Sequence, residues 1–390
     1  MTAGPDGTSP IDHYVSGAPF DPYSIERSAE GQEKYFLASQ WKLMWWRFLR
    51  HRAAVISGIF LAILYGSILI SEFIAPYHQD TKDIRHVLSP PQTVHLFHEG
   101  EFVGPFVYGY TFKLNTVTLK REYTDDPAKV QKLRFFCRGD KYKFWGYIDA
   151  NFHFVCPAEK GQLHLLGTDE VGKDMFSRLV YGARISLTIG LLGVGTSFIL
   201  GIFFGGLAGY YGGWIDEGVQ RLIEILRCLP HLPLWLALSA ILPLNWSPIL
   251  VFFGITIILG LLDWTGLARA VRSKLLSLRE EDFCVAAQLM GARPARIIGR
   301  HLLPSFTSHL IASVTLSVPA MILGETALSF LGLGLREPIT SWGVLLNEAQ
   351  NIESVVIYPW LMWPAIPVIL VVLAFNFLGD GLRDAADPYK

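Results

Sequence analysis

The chain has 390 residues, 51% of them hydrophobic and only 17% charged, with a mean hydropathy of +0.34. A soluble domain carries about 25% charged residues, and a nucleic-acid partner would need a basic surplus that a formal net charge of −1 does not supply. Aromatic residues at 13%, with 11 Trp, argue against a disordered chain, so composition points to a membrane protein.

Residues 1–34 are polar and rich in Gly, Pro, Ser and acids, which predicts a disordered cytoplasmic tail and no cleavable signal peptide. Over 35–52, Trp41, Trp45 and Phe48 recur at helical spacing with Lys42 and Arg47 between them. That pattern fits a helix at the headgroup level, or equally an ordinary interfacial anchor. A helix needs about 20 apolar residues to cross the hydrocarbon core. The first such run follows Arg52 and gives span one, 53–77. A second lies between Arg184 and Asp216 and gives span two, with a Gly-rich exit at Gly205, Gly206, Gly209, Gly212 and Gly213. The uncharged stretch from Cys228 to Leu262 is too long for one helix and divides at Pro243–Pro248 into spans three and four. Spans five and six follow from Leu302 to Gly324 and from Ser354 to Gly379. The predicted fold class is therefore an α-helical polytopic membrane protein, with six transmembrane helices and a β-rich extracytoplasmic insert between spans one and two. Spans two to six make a transmembrane core over 166–379, and 380–390 is a cytoplasmic C-terminus.

Lys and Arg orient the array. Lys42, Arg47, Arg50 and Arg52 precede span one, and Arg269, Arg272, Lys274, Arg279, Arg293, Arg296 and Arg300 lie between spans four and five. Placing both groups inside puts the two termini in the cytoplasm and the insert on the outer face. The insert, 78–165, shows period-two alternation in FVYGYTFKLNTVTLK, KLRFFCRG, YKFWGYI and NFHFVCP, with turns expected at Gly139-Asp140 and Asp149-Ala150-Asn151. Cys137 and Cys156 sit on the oxidising side, either as a disulfide or as two buried thiols, and the compartment favours the disulfide. His95-Leu96-Phe97-His98 has spacing that can bind metal but lacks a third ligand, so these histidines and His86 are expected to face solvent.

Gly167-Thr168-Asp169-Glu170-Val171-Gly172-Lys173-Asp174 nearly matches the phosphate pattern G-x-x-x-x-G-K-[ST]. Asp174 in the last position would repel phosphate, and Asp169 and Glu170 add to that repulsion. The segment is better explained as the cap of span two, with Asp169 or Asp174 receiving free N–H groups and with Lys173 and Arg178 at the headgroups. Between spans four and five, Ser277 and Glu280 have the spacing of a capping box. A helix from there would end at Gly291, and Pro294 would start a second helix towards Pro304. By spacing alone this segment is either a connector or a docking element.

Several blocks then carry a resemblance. VAAQLMG…LLP resembles the EAA loop of permease subunits in binding-protein-dependent ABC importers, with Ala286, Ala287, Gly291, Leu303 and Pro304 at matching positions and Val285 where the family has Glu. LLGTDEVGKDMFSRLVYGARISL, ETALSFLGLGL, SWG and FNFLGDGLRDAADP are similar to blocks of the oligopeptide/dipeptide/nickel branch. WKLMWWRFLRHRAAVISG resembles the amino-terminal segment of its C-type permease. The resemblance covers roughly 41–77 and 164–390, and the long insert is similar to that of microcin C-type peptide importers.

It implies a permease subunit of an ATP-driven importer, forming half of a path for peptides or related small solutes in the bacterial inner (plasma) membrane. The implied partners are a homologous B-type permease, two ABC ATPase subunits, a periplasmic or surface substrate-binding protein and membrane lipid. The loop 277–303 would couple to an ATPase. No catalytic, metal or cofactor site is expected in this chain, because ATP and Mg²⁺ would be bound by the ATPases. Path-lining candidates are Ser197, Ser239, Ser313, Thr315 and Ser317, together with Ser186, Thr188 and Thr196, with helix–helix packing as the alternative for each. Asp263 and Glu325 are expected to be structural, satisfied by water or a neighbouring Lys or Arg. The main rival function is a secondary transporter working without an ATPase, although no inverted repeat or central carboxylate marks one.

Overall fold

The computed structural model describes residues 39–116, 120–159, 161–243 and 245–386, so the predicted tail over 1–34 lies outside them. Helix α1 (Gln40–Arg50) leaves Trp41 and Trp45 exposed and buries Phe48 beside Ala54 and Ala385. At His51 the chain bends into α2 (Arg52–Leu69), whose Ala54 N–H donates to His51 Nδ1 at 3.1 Å. After the insert come α3 (Met175–Tyr211), α4 (Gly213–Cys228), α5 (His231–Ala240), α6 (Pro248–Leu278), α7 (Asp282–Leu289), α8 (Thr307–Phe330), α9 (Trp342–Glu348) and α10 (Ala365–Ala386).

Five segments among the described residues are long and apolar enough to cross a membrane: α2, α3, α6, α8 and Pro359–Ala386. The third predicted span is not one straight helix. Its place is taken by α4 and α5, bent by 86° across Leu229-Pro230. Ten residues of α5 reach about 15 Å, half of the hydrocarbon thickness, so α5 cannot cross alone. Pro230 lacks an N–H and restricts Leu229 to extended backbone, which breaks the helix there.

The Gly-rich exit expected after span two is also helix. α3 has 37 residues and runs about 55 Å, well beyond the bilayer core. Gly201, Gly205 and Gly209 fall four apart on one face of it and admit α6. A Cβ on Gly205 would stand 2.5 Å from the Ala268 carbonyl oxygen, and one on Gly209 2.8 Å from Leu275 Cβ. Apolar side chains gain nothing by leaving lipid for one another, so close backbone packing is what joins these two helices. Asp216 at the start of α4 then pairs with the Arg272 guanidinium of α6. The main core combines Leu187, Ile189, Val194, Ile255, Leu259, Met321, Ile322 and Val371, from α3, α6, α8 and α10.

The insert holds two antiparallel sheets. β1 (His95–His98), β2 (Glu101–Leu114) and β3 (Arg121–Lys132) form one, and β4 (Arg134–Phe144) and β5 (Ile148–Cys156) the other. Strand β3 is rich in charge, and no alternation in the sequence announced it. Gly139-Asp140 lies inside β4 at a register shift, and Asp149-Ala150-Asn151 lies inside β5. The turn falls instead at Trp145-Gly146, both at positive φ. There the Trp145 indole donates to the Leu69 carbonyl (3.0 Å) under the Arg184 guanidinium, 4.5 Å from its ring. Docking on the end of α2 therefore outweighs local turn preference. Cys137 and Cys156 form a disulfide across this hairpin.

Replacing Gly205 by Val places a branched side chain against the α6 backbone, whereas nothing lies within 4 Å of a Cβ at Gly195. Overpacking of this kind costs about 1–3 kcal/mol. Gly205→Val is expected to lower the thermal unfolding midpoint of the detergent-purified chain by several degrees, and Gly195→Ala to leave it unchanged.

Candidate functional site

The loop after α6 is built as a rigid projection. Ser277 and Glu280 do not form a capping box, because α6 continues to Leu278 and the Ser277 hydroxyl bonds back to the Lys274 carbonyl (3.0 Å). Glu281 is the N-cap residue of α7 instead. At the other end Gly291 has φ +77°, the Ala292 N–H donates to the Ala287 carbonyl and the Gly291 N–H to the Gln288 carbonyl. This paired closure requires the left-handed conformation that glycine adopts at least cost. Pro294 opens a helical turn, and Ile297–Leu302 follows as π-helix just before Pro304, which has no N–H to donate.

One face of this element anchors it. Cys284, Ala287, Ile297 and Leu302 are buried with Val271 and Leu275 of α6 and Leu310 of α8. The opposite face is open: Leu289 is 84% and Met290 81% exposed, with Phe283, Val285 and Ala286 also exposed. Arg293, Arg296 and Arg300 stand exposed beside them. Of the five loop residues singled out by sequence, Ala287 thus belongs to the anchor. Ala286, Gly291 and Pro304 are exposed, and Leu303 is half-buried.

The polar residues singled out within the helices divide differently. Ser197 and Ser239 are buried inside the subunit, while Ser313, Thr315 and Ser317 are half-buried. The hydroxyls of Thr315, Ser317 and Ser239 donate to carbonyls of their own helices. Ser186 is buried and donates to Glu325 (3.0 Å). Ser329 and Ser341 hydroxyls donate to the other Glu325 oxygen at 2.8 and 2.7 Å. Three hydroxyls hold this buried carboxyl group, where a Lys, an Arg or water was expected.

At the insert end, the phosphate-like segment is a structural cap. Asp169 Oδ1 accepts from the Val171 and Lys173 N–H groups at 2.9 and 2.8 Å, so donors that could cradle phosphate are already used. Asp174 caps α3 by accepting the Ser177 N–H (2.8 Å). Arg178 and Lys173 face protein partners instead of lipid headgroups. Arg178 is fully buried and meets Asp169, Glu337 (2.9 Å) and Glu348 (2.7 Å), and Lys173 reaches the same Glu337 at 2.9 Å. Sequence reasoning missed Glu337 and Glu348. The available signal was a basic pair entering an apolar run, which needs acids from elsewhere.

Two comparisons with known proteins agree with this architecture. Residues 201–389 match the family described as binding-protein-dependent transport system inner membrane component. Residues 39–91 match the N-terminal TM domain of oligopeptide transport permease C. A dipeptide transport system permease protein, DppC of Bacillus subtilis, is 41% identical over 227 residues, covering 58% of this chain and 68% of that protein. The chain belongs to this permease family.

An oligopeptide transport system permease protein, OppC of Haemophilus influenzae, is 39% identical over 242 residues, covering 62% of this chain and 75% of that one. An inward-facing structure of the MetNI methionine ABC transporter aligns with 53% of this chain and 97% of that one, at 19% identity and a TM-score of 0.40. By its family and these relatives the protein is a permease subunit of a binding-protein-dependent transport system, and the secondary-transporter alternative is set aside. The matched segments span both the exposed loop and α10, while the β-sheets lie between them.

Three carboxylates around Arg178 and Lys173 leave one negative charge in excess. Burial pushes Glu348 up to about 7, further than the Arg178 guanidinium pulls it down. Burial alone would also raise Glu337, but its bond to Lys173 and the charge of Arg178 hold it below the usual range. Between about pH 4.5 and 7 the folded chain therefore keeps a proton on Glu348 that the unfolded chain has released. Stability falls as pH rises through that window, by at most about 1.4 kcal/mol per unit. Glu348→Gln is expected to flatten that part of the unfolding midpoint against pH.

Proposed function

We propose that this chain is the C-type permease of a peptide importer, paired with a homologous B-type permease and driven by two cytoplasmic ABC ATPases. The observation that carries the reading is the loop between α6 and α8, anchored on one face and apolar and open on the other. Phe283, Val285, Leu289 and Met290, flanked by Arg293 and Arg296, suit a groove on an ATPase with an acidic rim. Anchoring on α6 and α8 gives a rigid lever through which closure of the ATPases moves the spans. Val285 removes the carboxylate that the family carries at that position, so apolar contact rather than an ion pair supports the docking here.

In this arrangement the loop and both termini are cytoplasmic, in line with the basic residues around α1 and after α6, and the insert faces the substrate-binding protein. ATP and Mg²⁺ are bound by the ATPase subunits. The cargo class follows from relatives named as dipeptide and oligopeptide permeases. Of the polar candidates, Ser313, Thr315 and Ser317 on α8, like Thr188 and Thr196 on α3, retain partial exposure and are placed to border a path shared with the second permease. Gly291→Asp strains the left-handed elbow and puts a charge on the open face. It is expected to reduce peptide uptake at least tenfold in cells while the chain stays inserted and at normal abundance. Wild-type uptake by this variant would refute the docking assignment.

A further inference from the structure

The segment entering the insert and the segment entering α3 bring Asp83, His86 and His164 together, with one ligand atom from each within 4.8 Å of the others. Asp83 Oδ2 lies 2.9 Å from His86 Nδ1 and 3.6 Å from His164 Nε2. Donors held about 2.0–2.1 Å from a tetrahedral Zn²⁺ stand roughly 3.3 Å apart, so small side-chain shifts would close this group on one ion. His164 is 2% exposed, and its Nε2 is buried on the Asp83 side without a hydrogen-bond partner. Its Nδ1 lies 3.2 Å from Asp174 Oδ1. A carboxylate behind one ring nitrogen fixes the tautomer and leaves the other nitrogen free to ligate a metal.

The backbone holds these groups in register. The Asp83 N–H donates to the Gly172 carbonyl (2.8 Å), and a Cβ on Gly172 would stand 2.2 Å from the Asp83 carbonyl oxygen. The Thr168 hydroxyl donates to the His86 carbonyl, while Tyr123 stacks on His86 and Tyr77 on His164. His86, expected to face solvent, is thus partly covered, and its side chain and that of Asp83 keep 13% and 18% exposure, enough for entry from one side.

We propose that Asp83, His86 and His164 form a binding site for a divalent transition-metal ion of the Zn²⁺ class, with Asp174 orienting His164. Two imidazoles and one carboxylate suit Zn²⁺ and its first-row neighbours, whereas Mg²⁺ and Ca²⁺ prefer all-oxygen sets. Three protein ligands leave a coordination position for water. The ion clamps the entry of the insert to the entry of α3.

The test strips the purified full-length chain with EDTA, reloads it with Zn²⁺ and measures retained metal after dialysis. One Zn²⁺ per chain is expected, with the affinity at least tenfold weaker in His86→Gln and in Asp83→Asn. The double variant His95→Gln/His98→Gln, which alters the other histidine pair of the insert, is expected to keep full stoichiometry. Co²⁺ substitution of the unmutated chain gives a second readout that needs no variant, a visible absorption band of a four-coordinate site. Equal retention by wild type and His86→Gln, or loss confined to the His95/His98 variant, would overturn the site. So would no retained metal and no Co²⁺ band, as when a proton on His164 occupies the gap.

Discussion

The burial of Arg178 is the constraint on which the insert end of this permease depends. A guanidinium without exposure must be neutralised where it stands, and breaking such a pair typically costs about 3–5 kcal/mol. Here its partners come from three places in the chain: Asp169 before α3, Glu337 after α8 and Glu348 at the end of α9. The head of α3 is thereby tied to the α8–α10 connection. Asp169 also organises its own loop through two backbone N–H groups, so one carboxylate serves both the turn and the lock.

From that fixed head α3 runs through the core to the opposite end, and its glycine face sets how near α6 lies. A long helix held at one end and packed backbone-to-backbone along its length forms one packed body with its neighbour. α6 then carries the same rigid body into the loop, where Val271 and Leu275 form the floor for Cys284 and Ala287. Movement imposed on α7 thus has a continuous packed route to the insert end. Glu325, buried among three serines contributed by α3, α8 and the start of α9, joins α8 to the same body.

Much of this was legible in the chain itself. The apolar runs placed five spans because lipid demands length and apolarity whatever the neighbours do. Gly291 and Pro294 declared their elbow because glycine alone enters the left-handed region at little cost and proline fixes its own φ. The capping role of Asp174 was legible for the same local reason. By contrast, the capping box at Ser277 failed because α6 carried its helix past that point. The turn at Gly139-Asp140 failed because docking of Trp145 on α2 set the hairpin. The third span is broken at Pro230, a bend that the uncharged run did not announce although proline's rule is visible in the sequence.

What the sequence by itself determined is the class of the protein, its membrane-crossing runs, its family blocks and the backbone breaks that glycine and proline impose. These depend on neighbouring residues and on the solvent, and neither needs a fold to be specified. Only the tertiary structure decided which partners satisfy the buried polar groups: Arg178 with Glu337 and Glu348, Glu325 with its serines, His164 Nδ1 with Asp174. A charge deficit of this size shows that few ionised groups enter the apolar body, but pairing across 160 residues of chain is a matter of distance in space. The low charge content is therefore the mark of a membrane protein, and the placement of the few remaining charges is what holds its ends together.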